Sequence, residues 1–492
     1  MERKDQLVTP TKIFNIGIAL ISIFSIMFLF WTQLTHVNSF ASTWDQVDYA
    51  LALDRYDLMA MQPHFPGYPY FILGGYFIHQ FVDNKVSSLT IFNILFYFSA
   101  LFPMYKLARH YVSRSYSLGI ISILYSSTYV MVIVNQPISE GAALAALWWY
   151  FWSIHWAMKD QGIGVNSLPP LFLSILLGIR LSYLPFAIGL LFLFYKKWKK
   201  KYYTNKQIVI YSLLTIMCQF IWVASLVFSE GSVKGFVKLS LAFTSGHFND
   251  WGNTAISSDL SFLERVKTLV LDNVMWTGIS SQTILLAVLY GILVSLFIYQ
   301  LSNLKKDFSQ QLACIMGICY LTWAIVAQNI DKPRHILPLV ILFIFVLLTN
   351  LLKKIRNSVI FILCCLLLIS QTYYSSMLIK QQAIESPATI QLANYLQSLD
   401  QSAVVYAWEE TRVFQYINIK TPYKKVQTYQ VFLHDKSYYQ HRKILITNKA
   451  VEGFKAQGIN LSGKIKKIKE FHSNSIYDPV YNDIVLYEWK NE

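Results

Sequence analysis

Residues 168–201 read LPPLFLSILLGIRLSYLPFAIGLLFLFYKKWKKK, and the way this stretch crosses a bilayer decides the side on which everything after it lies. Pro169 and Pro170 open it, Arg180 interrupts it, Pro185 follows, and Lys196, Lys197, Lys199, Lys200 and Lys201 close it. A single helix would leave the lysine run outside, against the enrichment of Lys and Arg in cytoplasmic loops. Two short helices turning near Arg180 return it to the inside. Working outward from that turn, apolar runs near 13–32, 87–105, 115–134, 139–158, 207–228, 281–302, 311–328, 335–352 and 357–379 are each compatible with a bilayer span. The expected fold is an α-helical polytopic membrane protein of about 11 transmembrane helices, N-terminus inside and C-terminus outside.

Composition agrees. Of 492 residues, 54% are hydrophobic and 14% charged, with a formal charge of +15. Soluble domains carry about 25% charged residues, so a purely soluble protein is disfavoured. Sorted by expected side, the inward segments hold 18 cations against four acids and the outward loops and helix ends nine against twelve. Residues 380–492 hold fifteen against eleven. Most of the positive excess is therefore an orientation signal and needs no nucleic acid to explain it. Arg3 and Lys4 precede an apolar core of about twenty residues, longer than a signal peptide's, which reads as an anchor. The five cysteines (Cys218, Cys314, Cys319, Cys364, Cys365) all lie inside apolar runs, so no disulfide framework is implied.

Three outward segments are long enough to fold: 33–86, 229–280 and the tail after 380. The first two are loops of a membrane domain spanning 1–379, and 380–492 reads as a small extracytoplasmic α/β domain. In that tail, Ser386-Pro387 opens a helix to about Leu399 as cap and first helical position. Short β-prone runs follow at Ala403–Trp408, Lys443–Thr447 and Asp483–Trp489. The tail shows no phosphate loop, metal-spaced set or nucleophile elbow, so the chemistry is expected elsewhere.

The first outer loop carries Asp45, Asp48, Asp54 and Asp57, then His64 among Pro63, Pro66 and Pro69. Carboxylates near apolar walls can act as general bases; a solvated loop with acidic helix caps is the competing reading. Glu140 begins one span, Arg180 marks the broken pair, and Arg334-His335 begin another span. Each could be a cap or an interfacial anchor, but the topology gathers all of them on the outer side, where ionisable groups at span ends are functional candidates. An acidic base, a second acid and several cations suit transfer of a group from a phosphate leaving group to a hydroxyl. Nucleotide sugars are generally confined to the cytoplasm, so a membrane-delivered donor such as a polyprenyl-phosphate sugar fits an outward site.

These residues resemble the integral-membrane glycosyltransferases of superfamily C, in particular the lipid-phosphate-sugar-dependent group of protein O-mannosyltransferases and aminoarabinose transferases. The matching order is Asp45, Tyr49-Ala50, then His64-Phe65-Pro66-Gly67-Tyr68. The resemblance implies that Asp45 is the catalytic base and that His64 contacts the donor phosphate, with Arg180, Arg334 and His335 as further cationic candidates at outer helix ends. Glu140 is implied as an acceptor-binding or second acidic residue, or as a metal ligand in branches that use a divalent metal. Asp48 departs from the pattern, standing where the aminoarabinose transferases have an arginine, so the cation must come from elsewhere or the donor differs. Phe65 replaces the first of two paired prolines. The segment 229–280, including His247 and Asp250, is expected to shape the acceptor side or merely cover the outer face, and neither residue is given a role.

The expected activity is thus an inverting glycosyl transfer, hexosyl or pentosyl, from a polyprenyl-phosphate carrier to a lipid, protein or wall-polymer hydroxyl. The expected location is the outer face of the plasma membrane, in a multi-pass protein. No cofactor is required by the residues, and a divalent metal is left open. The competing readings are a lipid or solute transporter and a surface-polysaccharide polymerase or ligase. Transporters usually carry ionisable groups near the bilayer midplane and paired repeats, neither of which is visible here.

Overall fold

A helix satisfies its backbone hydrogen bonds internally, which is why apolar runs in lipid become helices. The computed structural model describes residues 10–258, 260–300, 307–353, 358–399 and 402–490. Arg3, Lys4, Lys305, Lys306, Lys354 and Arg356, counted above among the inward cations, lie outside the described residues, as do Glu2 and Asp5. Among the described residues, six helices are long and apolar enough to cross a membrane: Asn15–Thr35, Lys85–Ala108, Asn205–Glu230, Phe308–Ala327, Pro333–Lys353 and Val359–Gln397. Two bent pairs raise the number to 8, Arg114–Tyr125 with Thr128–Val134 at 61° and Phe262–Ile279 with Ile284–Gln300 at 108°.

By length and composition the number is six to eight; the other expected spans are the Ser139–Lys159 helix and the two limbs of the 168–195 stretch. Ser139–Lys159 is buried along almost its whole length and carries Glu140, Ser153, His155 and Lys159, which dilute its hydropathy. The limbs, Ile163–Ile179 and Ile188–Lys199, have 17 and 12 residues. At about 1.5 Å per residue both fall short of the ~30 Å hydrocarbon core.

The break in that stretch falls at Arg180, whose backbone leaves the helical region at φ −154 and ψ 101. A 3-10 turn at Leu181–Ala187 reverses the chain. The far ends of the two limbs then meet, because Lys197 Nζ donates to Asn166 Oδ1 at 2.6 Å, to Ala157 O at 2.6 Å and to Asp160 O at 2.7 Å. The segment is therefore a hairpin. Its lysine-rich end lies beside the end of Ser139–Lys159, and its Arg180 end lies beside that helix's start, with Arg180 Nη1 donating to Ser139 Oγ at 2.9 Å.

The C-terminal region forms a five-stranded sheet, order β2-β1-β3-β5-β4, from β1 (Ala403–Ala407), β2 (Tyr423–Lys425), β3 (Lys443–Thr447), β4 (Ile465–His472) and β5 (Asp483–Trp489). β1 pairs in parallel with β2 and β3, and β5 runs antiparallel to β3 and β4. Alternate residues of β1 feed two cores, Val405 with Leu392 and Phe414 on one face and Val404 and Tyr406 with Phe432 and Phe454 on the other. The helix expected from Ser386-Pro387 runs over Ala388–Gln397, with Pro387 in the cap position and not inside the first turn.

The sheet region packs directly on residues of the 33–86 segment and on Gln136. Val413 joins Ala41, Val47, Ala50 and Val86 in a small apolar cluster. Thr389 Oγ1 donates to Ser42 O at 2.9 Å, and Gln136 Nε2 donates to Tyr477 O at 3.0 Å.

Candidate active site

The Trp44–Ala52 helix starts because Thr43 Oγ1 accepts from the Gln46 amide, a standard N-cap. Asp45 sits in the first turn, where negative charge is favoured. Three and four residues on, Asp48 and Tyr49 share its face. The following loop turns at Gly67, whose φ of +87 suits glycine and where a Cβ would collide with Tyr56 and Leu226. That turn brings His64 back over the helix.

The six residues singled out in the sequence meet here. Arg334 Nη2 donates to Asp45 Oδ2 at 2.7 Å and Arg334 Nε to Glu140 Oε1 at 2.8 Å, so one guanidinium bridges two carboxylates. Arg180 Nη2 lies 3.2 Å from the same Glu140 oxygen and His335 Nε2 3.9 Å from it. His64 Nε2 is 4.0 Å from Asp45 Oδ1. Glu140 is 1% exposed and Asp45 27%, which makes Asp45 the carboxylate that an incoming molecule can reach. The 3-10 turn Pro333–Ile336 aims Arg334, and Tyr320 OH donating to His335 O at 2.7 Å holds that turn.

Burial would raise the Asp45 carboxyl, but Lys332, His64, Arg334 and Arg180 together outweigh it and hold the group well below the usual carboxylate range. Desolvation dominates at Asp478 on the C-terminal domain and raises its carboxyl, against the Val480 and Tyr481 amides and the Arg334 and Lys332 charges. Asp45 opens into a cleft of about 230 Å³, open to solvent, whose walls include Trp44, Lys332, Arg334, Glu409, Asp478 and Tyr481.

The sequence reading placed the chemistry away from the tail, yet the tail supplies Glu409, Asp478 and Tyr481 to this cleft and Arg412 behind it. Arg412 Nε donates to Asp48 Oδ1 at 2.8 Å. The departure at Asp48 left open whether a phosphate cation came from elsewhere or the donor differed, and did not point to Arg412, which follows the buried strand β1. Lys332 was visible beside Arg334 but carried no motif. Its Nζ lies 3.8 Å from Asp45 Oδ2.

From the 229–280 segment, Phe243 stacks on His64 with ring centroids 6.0 Å apart and also meets Phe65 at 5.5 Å. His247 turns away and contacts Ala327 O at 2.8 Å. Among the described residues no group of three or more His, Cys, Asp or Glu side chains could hold a metal ion. Asp45 and Glu140 are instead joined through Arg334, so the donor set does not fit a divalent cation between them.

No family model matches the chain, and no curated protein matches it. The likeness lies in the fold, which is similar to that of several solved proteins at 9–12% identity. ArnT from Cupriavidus metallidurans, bound to undecaprenyl phosphate, superposes with a TM-score of 0.52 at 9% identity, over 95% of this chain and 97% of that one. The Archaeoglobus fulgidus oligosaccharyltransferase, in complex with Zn and sulfate, gives 0.54 at 11% identity, over 87% and 67%. The arabinofuranosyltransferase AftD from Mycobacteria gives 0.52 at 12% identity; all of this chain is covered but only 41% of AftD.

Proposed function

We propose that the protein is a membrane glycosyltransferase that moves a sugar from a polyprenyl-phosphate carrier to a hydroxyl acceptor on the outer face of the membrane. The observation that carries this is an accessible carboxylate, Asp45, ringed by Arg334, Lys332 and His64 at one end of a fold shared with polyprenyl-phosphate glycosyltransferases. The acceptor oxygen attacks the anomeric carbon as the bond from that carbon to the phosphate oxygen breaks. Asp45 takes the hydroxyl proton. Charge developing on the departing phosphate falls to Arg334, Lys332, Arg180, His335 and His64. Attack from the face opposite the leaving group inverts the anomeric centre.

A carboxylate held far below its ordinary range is a weak base, and phosphate binding corrects this. As the donor's anion draws Arg334 and Lys332, their hold on Asp45 weakens and its basicity rises. Glu140, nearly sealed from solvent, fits the role of anchoring Arg180, Arg334 and His335 better than direct contact with an acceptor. Outward sidedness and about 11 spans rest on the charge asymmetry of the loops, with the short hairpin limbs and Ser139–Lys159 completing the set.

The test uses purified protein in detergent with a radiolabelled polyprenyl-phosphate hexose or pentose. Sugar transfer or release by wild type, abolished in a folded Asp45→Asn variant, is the expected outcome. Near-normal turnover by Asp45→Asn removes Asp45 as the base. Movement of intact lipid in liposomes without sugar release replaces the enzyme with a transporter.

A further inference from the structure

Asp48 is wholly buried, at 0% exposure, and the reaction above gives it no task. A buried carboxylate has to be compensated, and its two partners come from opposite directions. Arg412 Nε donates to Oδ1 at 2.8 Å, and His64 Nδ1 lies 3.0 Å from Oδ2. Arg412 stands on the Glu410–Ile417 helix of the C-terminal domain. Its Nη2 also donates to Met61 O at 2.9 Å, which ties the guanidinium to the loop that carries His64. Its Nη1 donates to Gln415 Oε1 at 2.9 Å, and the guanidinium lies 5.5 Å from the Trp44 ring.

An ionised carboxylate only accepts hydrogen bonds, so the contact with Asp48 puts a proton on His64 Nδ1. The other nitrogen, Nε2, is then left 3.0 Å from Tyr68 OH and 4.0 Å from Asp45 Oδ1, on the side of the cleft. Asp48 unopposed would clamp His64 as an imidazolium, since an adjacent charge of opposite sign favours the charged form. Arg412 cancels that charge. The same carboxylate can then orient the ring and select its tautomer while Nε2 still binds and releases a proton. The remaining groups against His64 are Asp45 and Tyr49 from the helix beneath it, Tyr68 from its own loop, and Phe243, which brings no charge.

We infer that Arg412, brought in by the C-terminal domain, is a positioning residue of this site: through Asp48 it fixes the tautomer of His64 and leaves Nε2 free to exchange its proton where the donor phosphate binds. The role of the phosphate rests on the proposed function; the chain from Arg412 through Asp48 to His64 does not.

The full-length protein is compared with Arg412→Gln, Arg412→Lys and the double variant Asp48→Asn/Arg412→Gln, each checked for monodispersity in detergent. Two readouts follow His64. One is the pH profile of kcat/KM for the lipid-linked donor. The other is the pH dependence of His64 carbethoxylation by diethyl pyrocarbonate, read by peptide mass spectrometry, which reports neutral imidazole and needs no transfer activity. Arg412→Gln, which leaves the Asp48 charge against His64 unopposed, is expected to move the His64 midpoint alkaline, with the acceptor KM unchanged. Arg412→Lys, which keeps the charge, and the double variant, which removes both charges, are expected to titrate as wild type does. An unmoved midpoint in monodisperse Arg412→Gln, or a double variant that stays displaced, overturns the inference. A carbethoxylation midpoint that moves as expected while wild type transfers no sugar upholds it and discards the transferase reading.

Discussion

Arg334→Lys isolates the contribution of a guanidinium that serves two carboxylates at once. Arg334 Nη2 reaches Asp45 Oδ2 at 2.7 Å while Nε reaches Glu140 Oε1 at 2.8 Å. Lysine keeps the charge but offers a single compact ammonium in place of a planar fork, so it can satisfy one partner only. Glu140 is the more buried carboxylate, and leaving it unpaired costs more, so the ammonium is expected to stay with Glu140 and abandon Asp45. An ammonium held at Glu140 cannot turn to the departing phosphate as the Arg334 Nη2 group does in the proposed reaction, and one charge-assisted hydrogen bond lost there amounts to ~1.5–3 kcal/mol. At about 1.4 kcal/mol per factor of ten, kcat/KM for the donor should fall roughly ten- to 150-fold. Initial rates with the lipid-linked donor varied at saturating acceptor measure this. A value within about threefold of wild type, below the energy of one such bond, would show that the bridge between Asp45 and Glu140 does not matter to the reaction.

Two further predictions concern stability. Lys197→Met removes the donor shared by Ala157 O, Asp160 O and Asn166 Oδ1; Asn166 Oδ1 keeps Tyr203 OH and Asp160 O keeps Asn166 Nδ2, so the cost is about 1–3 kcal/mol for the buried Ala157 acceptor. The thermal midpoint in detergent should drop clearly while donor kcat/KM per folded molecule is retained, because this cluster lies at the end of the hairpin opposite Arg180. Asp478 has a carboxyl raised by burial, so the native state holds its proton more readily than the unfolded chain, and stability is lost as pH climbs above the unfolded value. Asp478→Asn removes that penalty and keeps an oxygen for the Val480 and Tyr481 amides, which donate to Asp478 Oδ1 at 3.0 and 3.3 Å. Its midpoint should exceed that of wild type at neutral pH, and the gap should close as pH falls below the ordinary aspartate value of 3.8. A constant gap across that range would refute the assignment.

Hydropathy and charge made much of this architecture legible. The helical break at Arg180 could be read because five lysines would otherwise sit on the wrong side, and the structure turns the chain at that residue. The strands Lys443–Thr447 and Asp483–Trp489 were legible as β-branched and aromatic runs and have those bounds. β4 was not, because Ile465–His472 reads IKKIKEFH and lies at the edge of the sheet, where one side needs no apolar cover. The residues around Asp45 were legible as outward ionisable groups on an apolar chain, but their pairing was not. Nothing local tells that Arg334 bridges to Glu140, or that Asp48 waits for Arg412. Those are tertiary contacts, and the composition of the tail, ordinary for an α/β domain, hid the residues it sends into the cleft.

Arg334 and Asp45 are 289 positions apart in sequence, and Arg412 and Asp48 are 364 apart. Non-local pairings are the last to be rewarded during folding, and domains generally form from the N-terminal end during synthesis. The first outer loop is therefore made long before either arginine exists, and its carboxylates wait in contact with water. The groups around Asp45 come together only once the last third of the chain has been inserted and the sheet has docked. In the proposed reaction, an unfinished chain therefore holds Asp45 and Glu140 without Lys332 and Arg334, the cations that the structure places against them.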